Sequence, residues 1–168
     1  MIITIDDIIV IILIILLSLL IVFFVSKTIK IKISQAVAAV LFITVVLIIL
    51  TLTVFGRIPG ERQMQIIPFW SYGEILCGNR YVLKQVILNI VLFVPIGIVL
   101  PFLLNKKVSL EIALVYGVVF SSIIEVLQLV TCRGLCEFDD IFHNSLGCMI
   151  GCMIHTKITE CRHSTINE

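Results

Sequence analysis

The chain has 168 residues, of which 60% are apolar and only 14% charged, with a formal net charge of +1. Soluble domains are about 45–50% apolar and about 25% charged, so a water-soluble enzyme and a disordered chain are both excluded. A net charge this small also speaks against nucleic acid as a partner, since a basic stripe is what such binding needs. What remains is an all-α, polytopic membrane bundle of one domain, with the lipid bilayer as its first partner.

A bilayer crossing takes about 20 mostly apolar residues in a helix, because backbone polar groups must be satisfied internally. Five runs are expected to cross. The first, residues 8–25, is broken only by Ser18. Asp6 and Asp7 precede it where a signal peptide would be basic, so it is expected to persist in the mature protein. The second run covers residues 33–55 and follows Lys27, Lys30 and Lys32. A polar connection, residues 56–84, comes next and holds the turn Pro59-Gly60 and the aromatics Trp70 and Tyr72. Those aromatics suit a headgroup level, so this connection is read as an outer loop lying in the interface. The third run is 86–104, with Pro95 and Pro101 inside it, and the fourth is 108–130. The fifth and shortest, 139–156, starts on Asp139 and Asp140.

Lysine and arginine in short connections set orientation. Seven basic residues (Lys27, Lys30, Lys32, Lys106, Lys107, Lys157, Arg162) alternate onto one side, against Arg57, Arg62, Arg80, Lys84 and Arg133 on the other. The N-terminus is therefore expected outside and the C-terminus in the cytoplasm. The chain divides into an N-terminal helix with its basic loop (1–32), a main membrane domain (33–156) and a cytoplasmic tail (157–168).

The informative residues are those a membrane disfavours. A charge at depth costs roughly 2.5–3.5 kcal/mol and usually faces the bundle interior. Gly117, Ser121, Glu125 and Gln128 share one face of the fourth run; Asp140, Asn144, Gly147 and Gly151 share one face of the fifth. The third run adds Asn89, Phe93 and Gly97. These stripes are expected to face one another and to bring Glu125, Asp140, Asn144 and Asn89 into one outward-opening cavity. Arg57 and Arg133 would stand at its mouth, where guanidinium forks suit phosphate. Interhelical hydrogen bonding without a ligand is the alternative for such stripes.

Among the six cysteines, Cys148 and Cys152 read as small packing residues, while Cys77, Cys132 and Cys136 fall in outer loops where a disulfide is allowed. Cys-x3-Cys without a second pair is a poor zinc signature, and no metal or cofactor motif is present. His143 stands one turn from Asp140.

The string Asn89-Ile-Val-Leu-Phe93-Val-Pro95-Ile-Gly97, then Ser121-Ser-Ile-Ile-Glu125-Val-Leu-Gln128, then Arg133-Gly-Leu-Cys-Glu137-Phe-Asp139-Asp140-Ile-Phe-His-Asn144-Ser-Leu-Gly147, resembles the VanZ-like family of small bacterial membrane proteins. Ile67-Pro68-Phe69 adds a weaker match, and together these motifs cover residues 57–154, leaving the first run as an added helix. The resemblance implies a bacterial plasma-membrane location in the cell envelope and a link to susceptibility to the glycopeptide teicoplanin, without a settled biochemical activity. The matching positions are Asn89, Pro95, Gly97, Glu125, Gln128, Arg133, Glu137, Asp140, Asn144 and Gly147. Three readings of the polar site stay open. It binds a lipid or lipid-linked headgroup, or a glycopeptide, through Arg57, Asn89, Gln128, Arg133, Glu137, Asp139 and Asn144. It modifies an envelope lipid or glycan, with Glu125 as general base and Asp140 orienting it. Or its stripes only hold a structural subunit together.

Overall fold

In a computed structural model that describes residues 5–28 and 33–166, the chain forms an all-α bundle. The described helices are α1 (Ile5–Thr28), α2 (Ile33–Leu50), α3 (Trp70–Leu76), α4 (Arg80–Leu104), α5 (Leu110–Thr131) and α6 (Phe138–Ile166). The basic cluster Lys30 and Lys32 lies outside the described residues.

Local chemistry sets the boundaries. Asn79 caps α4 by accepting from Tyr81 N and Val82 N, and Ser109 caps α5 through Ile112 N. Both helices end on a residue in the left-handed region, Asn105 and Cys132. The second run keeps its expected end but not its regularity, because Thr51–Phe55 is a π-helical turn. Pro95 and Pro101 leave α4 a single helix of 25 residues.

Three described stretches are long and apolar enough to cross a membrane: Gln35–Phe55, Arg80–Leu104 and Leu110–Thr131. Ile8–Ile21 is a shorter apolar helix. Helix α6 is longer than the expected fifth run and stands outside this set, with polar residues at both of its ends. Leucines and isoleucines along α1 are exposed, among them Leu13 and Leu16. The core lies between α2, α4, α5 and α6, around Ile49, Phe93, Ile96, Leu100, Ala113, Ile124, Cys148 and Cys152.

Helix α6 packs most extensively on α4 and next on α5. The seam is made of glycine: a Cβ on Gly97, Gly147 or Gly151 would run into the backbone carbonyl of Cys148, Ile90 or Val94. Small residues allow this approach where lipid supplies no hydrophobic drive between helices. Beyond the periodicity of the helices, two three-residue strands, β1 (Gln63–Gln65) and β2 (Leu135–Glu137), pair in parallel, with Met64 opposite Cys136.

Candidate functional site

The glycine seam and the β1–β2 ladder position one polar cluster at the end of the bundle where α4 begins, α5 ends and α6 begins. From α4, Asn89 Nδ2 donates to Asp140 Oδ1 at 2.5 Å. From α5, the Ser121 hydroxyl donates to the Asp140 carbonyl at 3.4 Å and accepts from Asn144 Nδ2 at 2.8 Å. Glu125 Oε2 accepts the backbone N–H of Glu137 at 2.8 Å. Asn89, Glu125, Asp140 and Asn144 thus meet at one place, as the stripes on their helices anticipated.

Arg57 supplies the positive charge there. Its guanidinium lies on Gly134, whose φ of +122° and lack of a Cβ make the space for it. Its charge is felt by Glu125, Glu137 and Asp140 alike. Glu137, on β2, has its carboxyl pushed up to about 7, first by burial and then by the neighbouring Asp140, with Arg57 pulling the other way. Burial and the adjacent Glu125 carboxylate also raise the Cys136 thiol.

The cluster is not an open mouth. Glu125 and Glu137 are 3% and 8% exposed. The connection expected to lie flat in the interface folds back instead: β1 pairs with β2, and α3 docks on the start of α6. Half-buried Asn89, Asp140 and Arg57 remain as the line along which the cluster reaches the surface.

Several residues grouped with the site by spacing have other work. Asp139, 1% exposed, accepts from Phe69 N at 2.6 Å, Ser71 N at 3.0 Å and the Ser71 hydroxyl at 2.5 Å. It caps α3 from a different helix, because α3's own N-cap residue, Phe69, offers no side-chain acceptor. Gln128 Nε2 donates to Thr53 O, and Arg133 Nη1 to Phe55 O. Both satisfy carbonyls at the end of the π-helical turn, where intrahelical donors run out. His143 turns away from Asp140 and places Nε2 3.2 Å from the Tyr72 hydroxyl. Cys77, Cys132 and Cys136 are free thiols.

Four buried polar atoms among the described residues lack a partner: Asn144 Oδ1, Gln128 Oε1, His143 Nδ1 and Trp70 Nε1. The Trp70 indole approaches the Glu137 carboxylate and favours its ionised form, but outside hydrogen-bond geometry. Ser71 and Gly134 were missed from sequence. The signal was present only in the negative, as an aromatic helix start with no cap and a glycine beside an arginine.

A family model described as VanZ/LLP1 matches residues 8–159, which takes in α1 as well as the helices that carry the cluster. No curated protein and no solved structure gives a match.

Proposed function

The chain belongs to the VanZ/LLP1 family, and from that premise we propose that it is a membrane protein of the bacterial envelope that takes a polar headgroup at the Glu125–Asp140 end of its bundle. The headgroup belongs to a lipid or a cell-wall-related amphiphile, and the protein's physiological link is to glycopeptide susceptibility. One observation carries this reading. Glu125, Glu137 and Asp140 are gathered with Asn89 and Asn144 beside the helix seam, within electrostatic reach of one guanidinium, Arg57. Holding a bundle together needs amides and small residues, not buried carboxylates, which cost several kcal/mol each unless paired.

The lysine pair Lys106–Lys107 and the basic cluster ahead of α2 support an outer location for this end, with α1, α2, α4, α5 and α6 crossing, N-terminus outside and C-terminus cytoplasmic. Because the family match runs through α1, the first helix belongs to the shared region and is not an addition to it, and residues 157–168 are a cytoplasmic tail.

The test is Glu125→Gln. Gln keeps the size and accepts the Glu137 N–H, but has no charge and no basic oxygen. Its expected effect is loss of the wild-type phenotype in a glycopeptide-susceptibility assay at an unchanged membrane level. Full activity of the variant refutes the reading. In a second reading Glu125 is a general base acting on a bound lipid; a gene-dependent change in envelope lipid composition distinguishes that enzyme from a binder.

A further inference from the structure

Hydrogen-bond donors and acceptors are unequally spent in the cluster. The Asn89 amide donates to Asp140, the Asn144 amide to Ser121, the Ser121 hydroxyl to the Asp140 carbonyl, and the Glu137 N–H to Glu125. Acceptor capacity is left over beside Asn144, while the unspent donors, the Trp70 indole and the Arg57 guanidinium, stand at Glu137 and Gly134. Asp140 accepts one side-chain donor, and Glu125 accepts one backbone N–H with the Cys136 thiol also directed at it, against about four lone-pair sites apiece. Asn144 Oδ1, on a residue 5% exposed and one turn from Asp140, accepts nothing. A buried acceptor without a donor costs about 1–3 kcal/mol, so this oxygen marks where a donor belongs. Charge points the same way, with three carboxyl groups and one guanidinium, that of Arg57, within electrostatic reach of one another.

From these observations, and resting on the headgroup-binding reading above, we propose that the group received is a primary ammonium carried on an apolar chain, and not a phosphate. An ammonium brings three N–H donors and one positive charge, and has no acceptor to leave unsatisfied. A phosphate would bring acceptors to a place already rich in them and negative charge beside three carboxyl groups. The second guanidinium that a phosphate would call on, Arg133, has Nη1 committed to the Phe55 carbonyl. A chelated metal ion fits less well, since among the described residues no three His, Cys, Asp or Glu side chains converge as a metal site requires. Asn89, Asp140 and Arg57, all half-buried, are the members of the cluster through which an ammonium would approach.

The test uses the full chain in zwitterionic nanodiscs and three amphiphiles of equal chain length: decylammonium, decyl phosphate and decyl glucoside. Trp70, the only tryptophan, stands beside Glu137, so its emission reports occupancy. Decylammonium is expected to shift that emission saturably, with an apparent Kd about tenfold or more below those of the other two. Asp140→Asn keeps the oxygen that accepts from Asn89 and removes the charge; it should erase most of the preference while its melting temperature stays near wild type. Glu125→Gln provides the same measurement on α5 should Asp140→Asn fail to fold. Tighter binding of decyl phosphate or decyl glucoside overturns the ammonium proposal and leaves headgroup binding standing. Equal ammonium binding by wild type and both variants also overturns it, as partition into the bilayer. Saturable binding of none of the three sinks the headgroup reading itself, and the ammonium proposal with it.

Discussion

Replacing Asp139 by alanine should undock α3 without unfolding the bundle. The carboxylate accepts three donors, Phe69 N, Ser71 N and the Ser71 hydroxyl. At about 1.5 kcal/mol each, the low end for bonds to a charged acceptor, they sum to about 4–5 kcal/mol. Water reaching the exposed side of the Phe69 turn recovers part of that, which leaves about 3 kcal/mol of local stability lost. Phe69 adds to the effect: at φ 61° it holds a left-handed conformation that costs a bulky residue about 1–2 kcal/mol, and Asp139 is what fixes its N–H. Because 1.4 kcal/mol is a factor of ten, amide exchange at Phe69 and Ser71 should accelerate about 100-fold. Trp70 emission should shift to the red as the indole leaves its half-buried position. Asp139→Asn keeps one accepting oxygen and should lose about half as much. Unchanged exchange at Phe69 and Ser71 in Asp139→Ala, with unchanged Trp70 emission, would refute the cross-helix cap.

Glu137 gives a pH prediction whose sign is opposite to that of most carboxylates. Its folded pKa of about 7 lies above the unfolded value near 4.5, so the folded state holds the proton more tightly. Glu137 therefore contributes stability that is lost as pH rises from about 4.5 through about 7, and Glu137→Gln should make that part of the melting-temperature profile shallower; a variant parallel to wild type over this range contradicts the assignment. Gly147→Ala places a Cβ into the Ile90 carbonyl and should cost about 1–3 kcal/mol or more, seen as a lower membrane level, whereas Gly60→Ala, with open space around it, should be neutral. For orientation, single-cysteine variants retaining exposed Cys77 or Cys161 are labelled with an impermeant maleimide. Cys77 should react in intact cells and Cys161 only after permeabilisation; labelling of Cys161 from outside reverses the topology.

The helical faces of the site were legible because an apolar background makes a spaced carboxylate or amide conspicuous. Glu125, Asp140, Asn144 and Asn89 fall together for the reason their spacing suggested. The β1–β2 ladder was not legible, since three-residue strands show no alternation and their partners lie about 70 residues apart. Gln128 and Arg133 show the limit of face arguments. Their positions on or just beyond α5 are those of site residues, yet the π-helical turn ends on carbonyls at Thr53 and Phe55 that need donors, and these two side chains supply them. A helix's 3.6 period says which way a side chain points, not which orphaned backbone group waits there.

The glycine seam between α4 and α6 has a consequence for how the chain is built. During synthesis α4 emerges with Asn89 and its close-approach positions uncovered, and the surface that fits them is not α5, the next helix, but α6. At roughly 5–20 residues per second, the stretch from Asn105 to the end of α6 takes on the order of several seconds to make. For that interval α4 is held by α2 alone among its major partners. A chain interrupted before α6 should leave α4 exposed in the bilayer as a substrate for quality-control proteases. Helix α6, translated after the other described helices, is thus the one that closes the middle of the bundle.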